Sequence, residues 1–171
     1  MKVRIARPPK AASLRALHLR TWQATFQGML PMALFTQRLQ EHGRVDWGVR
    51  VRLQEASGGH VLALIEREVL VGLCQYGPTE DSDLDPEQVG EVHRLYVDPD
   101  YQGRGGGRLL LDAAGEAFRQ AGRRLATLWV FEADRRARGF YEHLGWRPDG
   151  GRQREAFPDV RYQLLLSPAN E

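Results

Sequence analysis

The spacing of apolar positions changes along the chain, and each change marks an element. "KVRIAR" alternates with the period of a half-buried strand, and Pro8 and Pro9 end it. From Ser13 the spacing lengthens, with Leu14, Leu17, Leu19 and Trp22 on or near one face of a helix. Gly28 and Pro31 in "FQGMLP" interrupt that pattern, and a second helical stretch runs from Pro31 through Leu34, Phe35 and Leu39. Irregular sequence with some helical character is expected from there to about Leu53. "HVLALIE" and "EVLVGLCQYG" read as two strands of a hairpin that turns near Arg67. "PTEDSDLDPEQV" holds Glu80, Asp81, Asp83, Asp85 and Glu87 together with two prolines and reads as a solvated loop.

"GEVHRLYV" is the next strand. A helix is expected from about Gly106 to Ala121, with Leu109, Leu110, Ala113, Ala117 and Phe118 at helical spacing and Gly122 placed to end it. "LATLWVF" is a further strand, and "DRRARGFYEHLG" a helix with Asp134 at its start and Gly145 beyond its end. "WRPDGGRQREAF" and "VRYQLLL" supply two closing strands. The order β, α, α, β, β, β, α, β, α, β, β predicts an α/β fold of the α+β type. Its centre is a mixed, mostly antiparallel sheet of about seven strands, with helices on both faces. At 171 residues and 42% hydrophobic, the chain is expected to form one domain over 1–171.

Charge narrows the function classes. Lysine and arginine number 24 against 22 acidic residues, a net charge of +2, so no nucleic-acid partner is expected. Lys2 and Lys10 are the only lysines; arginine, whose planar fork suits phosphate, carries the rest of the positive charge. Cys74 is the single cysteine, which excludes an intrachain disulfide, and its apolar strand marks it as a buried thiol. No apolar run approaches the roughly 20 residues that cross a bilayer, and the N-terminus lacks a signal core. A soluble cytoplasmic protein without a membrane partner is expected.

The chemistry concentrates in "VDPDYQGRGGGRLLL", residues 97–111, where glycines cluster between a strand end and a helix start. Free N–H groups and the helix dipole favour an anion there. Gly103, Gly105, Gly106 and Gly107 let the backbone approach closely, and Arg104 and Arg108 add donors. A nucleoside-triphosphate loop needs Lys-Ser/Thr after its last glycine, but Arg108 follows Gly107. A dinucleotide fingerprint starting at Gly103 and Gly105 meets Arg108 where its third glycine belongs. A diphosphate cradle and a plain glycine turn remain.

These residues resemble the Gcn5-related N-acetyltransferase (GNAT) superfamily. Its acetyl-CoA motif, Gln/Arg-x-x-Gly-x-Gly/Ala, is matched by Gln102, Gly105 and Gly107, and "LWVFEADRRARGFYEHLGW" is similar to its next strand and helix. The order of elements is also that of the superfamily. The resemblance implies the GNAT fold and an N-acetyltransferase that moves an acetyl group from acetyl-CoA to a primary amine by direct attack, with no metal. It implies that amides from about Gly103 to Arg108 hold the coenzyme A diphosphate. Leu95, Tyr96 and Val97 would pair with the pantetheine arm like an added strand, in a sheet that splays between its fourth and fifth strands.

Asp134 and Ala137 complete the implied coenzyme A set, although Asp134 can equally serve as a helix cap. Arg135, Arg136 and Arg138 could reach the 3′-phosphate or face solvent. Tyr141 matches the acid that serves the leaving thiolate, and Glu91 the base, with His93 its competitor on the same strand face. The amide near Val97 would form a partial oxyanion hole. Trp22 and Phe26, in a stretch similar to "W…Y.G.LP" of bacterial members, would wall an acceptor site that includes Glu91. The implied acceptor is a small-molecule or peptide amine, and the implied assembly a monomer or homodimer. The alternative is a non-catalytic acyl-CoA-binding sensor or interaction module on the same fold.

Overall fold

Along strand His60–Glu66, Val61 and Ala63 face one side while Leu62 and Leu64 face the other. Both faces must therefore be covered. The computed structural model describes residues 1–167 and shows how. Seven strands, β1 (Lys2–Ile5), β2 (His60–Glu66), β3 (Val69–Pro78), β4 (Val89–Val97), β5 (Leu125–Phe131), β6 (Arg147–Gln153) and β7 (Asp159–Leu165), form one sheet in the order β1-β2-β3-β4-β5-β7-β6. Every neighbouring pair is antiparallel except β4–β5. The mixed sheet expected from the sequence is the one observed.

Helices α1 (Ala11–Phe26) and α3 (Trp47–Ala56) bury Leu14, Leu17, Trp47 and Val51 against Val61, Ala63 and Leu73 on one face. Helices α4 (Gly106–Gln120) and α5 (Arg135–His143) bury Leu110, Leu111, Ala114, Phe118 and Tyr141 against Leu62, Leu64, Cys74 and Val92 on the other. Each such large apolar side chain contributes about 1.5–3 kcal/mol of burial. Helix α2 (Met32–Gly43) packs on α1 through Phe35, which stacks on Trp22 with ring centroids 5.3 Å apart.

Helix α3 is a regular helix where irregular sequence with some helical character is expected to about Leu53. The Asp46 side chain caps it by accepting the Val49 N–H at 3.0 Å. Its apolar side chains do not share one face: Trp47 and Val51 are buried while Val49 and Leu53 are exposed. That spread weakens the helical period in the sequence. The hairpin turn falls where expected, with φ of 47° at Arg67 and 66° at Glu68. Positive φ at both central residues matches the twist of the flanking strands.

His18 lies in the α1 core at 0% exposure, and neither ring nitrogen has a hydrogen-bond partner among the described residues. Its neighbours are the rings of His42, Trp47 and Tyr96. Burial, reinforced by the positive charges of His42, Arg94 and Arg50, lowers its pKa to about 3. The unfolded imidazole takes a proton below about pH 6.5, whereas the folded one stays neutral until far lower. The unfolded state thus binds more protons in this window, and stability falls as pH falls, by about 1.4 kcal/mol per pH unit below 6.5. His18→Leu should flatten the fall in melting temperature between pH 7 and 5. An unchanged slope would place the acid sensitivity elsewhere.

Candidate active site

The parallel pair β4–β5 is short. It runs from Val89↔Leu125 to Val92↔Leu128 and stops there. From His93 to Val97, β4 pairs only with β3, so a cleft opens beside it. Asp98 donates its N–H to Val71 O on the β3 side. Backbone groups alternate between the two edges of a strand, so Leu95 and Val97 turn theirs toward the cleft and Tyr96 toward β3. The Val97 carbonyl accepts Gln102 Nε2 at 2.9 Å, which leaves the Leu95 N–H and C=O and the Val97 N–H facing the open side.

The glycine loop closes one end of this cleft. Gly105 is the left-handed N-cap of α4 with φ of 81°, and Gly103 has φ of 74°. Among the described residues, none of the N–H groups of Gly103, Arg104, Gly105, Gly106, Gly107 and Arg108 donates to a protein acceptor. A side chain at Gly103 or Gly105 would meet nothing within 4 Å, so the loop is open on that side. At Gly106 it would strike Leu64, and at Gly107 it would come 3.0 Å from Phe140 Cζ. Two glycines thus expose the amides, and two let α4 lie tightly against β2 and α5. Arg104 Nη2 donates to Asp100 O and stacks over Tyr101, while Arg108 lies 3.6 Å from Asp112 on an exposed helix face.

Tyr141 comes from α5 and is 9% exposed, packed against Phe140 and Trp146. Its hydroxyl makes no hydrogen bond among the described residues. Burial, then the nearby Cys74, Tyr96 and Asp134, push its pKa above the ordinary phenol value, so it stays protonated at neutral pH. Cys74 is fully buried and its thiol is pushed up to about 12, which leaves it inert. Asp134 caps α5, with Oδ1 accepting the Ala137 N–H at 2.9 Å. Arg138 is committed to Tyr162 Oη and Glu132 O, whereas Arg135 and Arg136 are exposed.

On β4, Tyr76 pairs with Val92 and Gln75 with Arg94, so His93 is the extra residue of a bulge. The bulge brings consecutive His93 and Arg94 to the face covered by α1 and α3, where Glu91 also lies. Glu91 Oε1 lies 3.4 Å from His93 Nδ1, and Oε2 accepts Thr79 Oγ1 at 3.1 Å and Glu80 N at 2.9 Å. Burial raises the Glu91 pKa, but His93, the Glu80 amide and the Thr79 hydroxyl outweigh it and the net shift is downward. Glu91 is therefore held as a carboxylate. His93 Nε2 is buried without a hydrogen-bond partner among the described residues.

The acidic loop is more ordered than its composition implies. Arg161 of β7, 8% exposed, donates to Asp81, Asp83 and Asp149 at 2.7–3.0 Å, and Trp129 Nε1 donates to Asp81. These bonds tie the loop to the far half of the sheet and hold Thr79 and Glu80 against Glu91. Sequence reasoning missed Arg161, although a charged residue inside the apolar run "VRYQLLL" is itself a sign of a buried partner. Trp22 is 4% exposed, enclosed by Phe26, Phe35 and His42. Phe26 is half-buried and reaches Phe131 of β5 at 5.9 Å. The described residues hold no cluster of three or more His, Cys, Asp or Glu side chains able to bind a metal, and no helix long and apolar enough to cross a membrane.

A strand edge, an amide-rich loop and a helix start lie together beside a splayed parallel pair. The acetyltransferase (GNAT) family profile matches residues 15–146. The chain belongs to that family. An uncharacterized N-acetyltransferase of Archaeoglobus fulgidus is 29% identical over 134 residues, 78% of this chain and 87% of that protein. Another, of Methanocaldococcus jannaschii, is 40% identical over 65 residues, 38% of this chain; the match spans only 29% of that relative's length. In fold, the chain matches the PaiA N-acetyltransferase of Thermoplasma acidophilum, solved in complex with coenzyme A, at a TM-score of 0.79. That alignment covers 96% of this chain and 98% of that one at 17% identity.

Proposed function

We propose that this chain transfers the acetyl group of acetyl-CoA to a primary amine of a small molecule or peptide, by direct attack in the cleft between β4 and β5. The observation that carries this reading is the row of unpartnered amides from Gly103 to Arg108 at the mouth of that cleft. Those amides fit a diphosphate, and the free backbone groups of Leu95 and Val97 fit the amides of a pantetheine arm. Gln102 serves indirectly, by holding Val97 O and the start of the loop. Asp134 and Ala137 are spent on each other and position α5.

Bound acetyl-CoA supplies an activated acyl group; the chain supplies positioning and proton transfer. An amine of lysine type has a pKa near ~10.4 and must be neutral to attack. The Glu91–His93 pair accepts the proton that the amine loses as the new C–N bond forms. The Val97 N–H donates to the oxygen on which negative charge develops. Tyr141 donates its proton to the sulfur as the C–S bond breaks, so one proton is taken up and one released. Phe26, rather than the enclosed Trp22, offers an aromatic surface to the acceptor.

The test is thiol release from acetyl-CoA with a panel of amines, together with thermal shifts in coenzyme A, NAD and ATP. Stabilisation by coenzyme A alone and thiol release with at least one amine are expected. Coenzyme A binding without turnover on any amine would favour a sensor, and stabilisation by NAD or ATP would overturn the assignment of the loop. Tyr141→Phe should lower kcat by about 10- to 100-fold while acetyl-CoA affinity changes little. A wild-type rate would remove the phenol from the mechanism.

A further inference from the structure

Under α3, the acceptor side of the sheet holds a pocket of about 490 Å³ whose lining includes Arg50, Gln54, Gln75 and Glu80. Arg94 adjoins it, donating from Nη1 to Gln75 Oε1 at 2.9 Å, and Gln75 in turn donates to Gln54. Arg50 lies over the Trp47 ring at 5.7 Å, and its Nε is buried without a hydrogen-bond partner among the described residues. Among the described residues neither guanidinium has a carboxylate within ion-pairing distance, although Arg161 gathers three on the same loop system. Arg50 and Arg94 are close enough that, after burial, Arg94 is the next cause holding the Arg50 pKa below its ordinary value.

Two neighbouring half-buried cations and an orphaned cationic donor carry a free-energy cost that an anionic ligand would relieve. The pocket is polarised as well. Glu80 lines it, and the Glu80 N–H binds Glu91, so the wall that carries Glu80 adjoins the proposed base. We propose that the acceptor is an amine that also bears a carboxylate, with Arg50 and Arg94 binding the carboxylate and Glu91 facing the amine. The inference rests on the acetyl-transfer reading of the site and names its substrate class. A planar carboxylate matches a single guanidinium fork through two parallel hydrogen bonds, with the Gln54 and Gln75 amides beside it.

The test compares three matched acceptors for each side chain: free α-amino acids, the same amino acids as C-terminal amides, and the corresponding amines lacking the carboxylate. Thiol release should show kcat/KM about 10- to 100-fold higher for the free acids. Arg50→Met and Arg94→Met should each bring that ratio toward one, with coenzyme A affinity retained as evidence of an intact fold. Equal or better turnover of the acceptors that lack the carboxylate, or a ratio unmoved in both variants, would overturn the proposal. Calorimetric titration of the coenzyme A-loaded protein with N-acetyl amino acids judges it without catalysis. Binding to wild type that Arg50→Met abolishes supports the carboxylate site, and no binding to wild type overturns it. Absence of thiol release with every amine, with or without a carboxylate, would instead sink the acetyl-transfer reading, whatever the titration shows.

Discussion

Gly105→Glu is expected to abolish coenzyme A binding while leaving the protein folded. Gly105 holds φ of 81°, and a Cβ built there meets no atom within 4 Å. The substitution therefore costs only the left-handed conformation, about 1–2 kcal/mol, with no clash to unfold the core. Its carboxylate, however, stands among the amides of Gly103 to Arg108, where the diphosphate must sit. It repels the ligand and competes for the same donors, and an affinity loss above about 100-fold is expected by calorimetry. Gly105→Asn is the control, since asparagine tolerates positive φ and adds no charge; it should keep affinity within about tenfold. Unchanged coenzyme A affinity in Gly105→Glu would remove the loop from the binding site.

Glu91→Gln is expected to lower kcat by about 10²- to 10⁴-fold with little change in the KM for acetyl-CoA. The substitution keeps shape, and the Thr79 hydroxyl and Glu80 N–H can still donate to the remaining oxygen. What it removes is the negative charge 3.4 Å from His93 Nδ1, which orients the ring and stabilises it after proton uptake. The net downward shift of the Glu91 pKa puts its own titration below about pH 4.5. Activity lost on acidification only in that range would mean that Glu91 itself takes the proton, whereas a limb at higher pH excludes it as the titrating group. His93→Gln separates the members of the pair: retention of most of the activity would leave Glu91 to act alone. A wild-type rate in Glu91→Gln would dismiss Glu91 and leave His93 to act alone.

Much of the fold could be read from short stretches. The hairpin, the helix ended by Gly122 and the strand "LATLWVF" emerge within a residue of their observed bounds, because alternation, capping and positive-φ glycines act between near neighbours. Helix α3 escaped because its stability comes from packing one narrow edge, Trp47 and Val51, into a core whose other wall lies on β2 and β3. The acidic loop looked solvated because its partner, Arg161, is about 80 residues away in the chain.

The site divides along the same line. Residues 97–108 form the proposed anion site by local geometry alone, through glycine conformations, a helix start and a run of amides without protein acceptors among the described residues. Their order along the chain already pointed to the donor. The rest depends on contacts between distant segments: where β4 and β5 stop pairing, the bulge that turns His93 and Arg94 to one face, and the placing of Arg50 beside Arg94. A strand's register and a pocket's charge are properties of pairs of segments, and no single stretch encodes them. The donor was therefore legible in one loop, while the proposed base and the proposed acceptor pocket took shape only when the strands and helices packed.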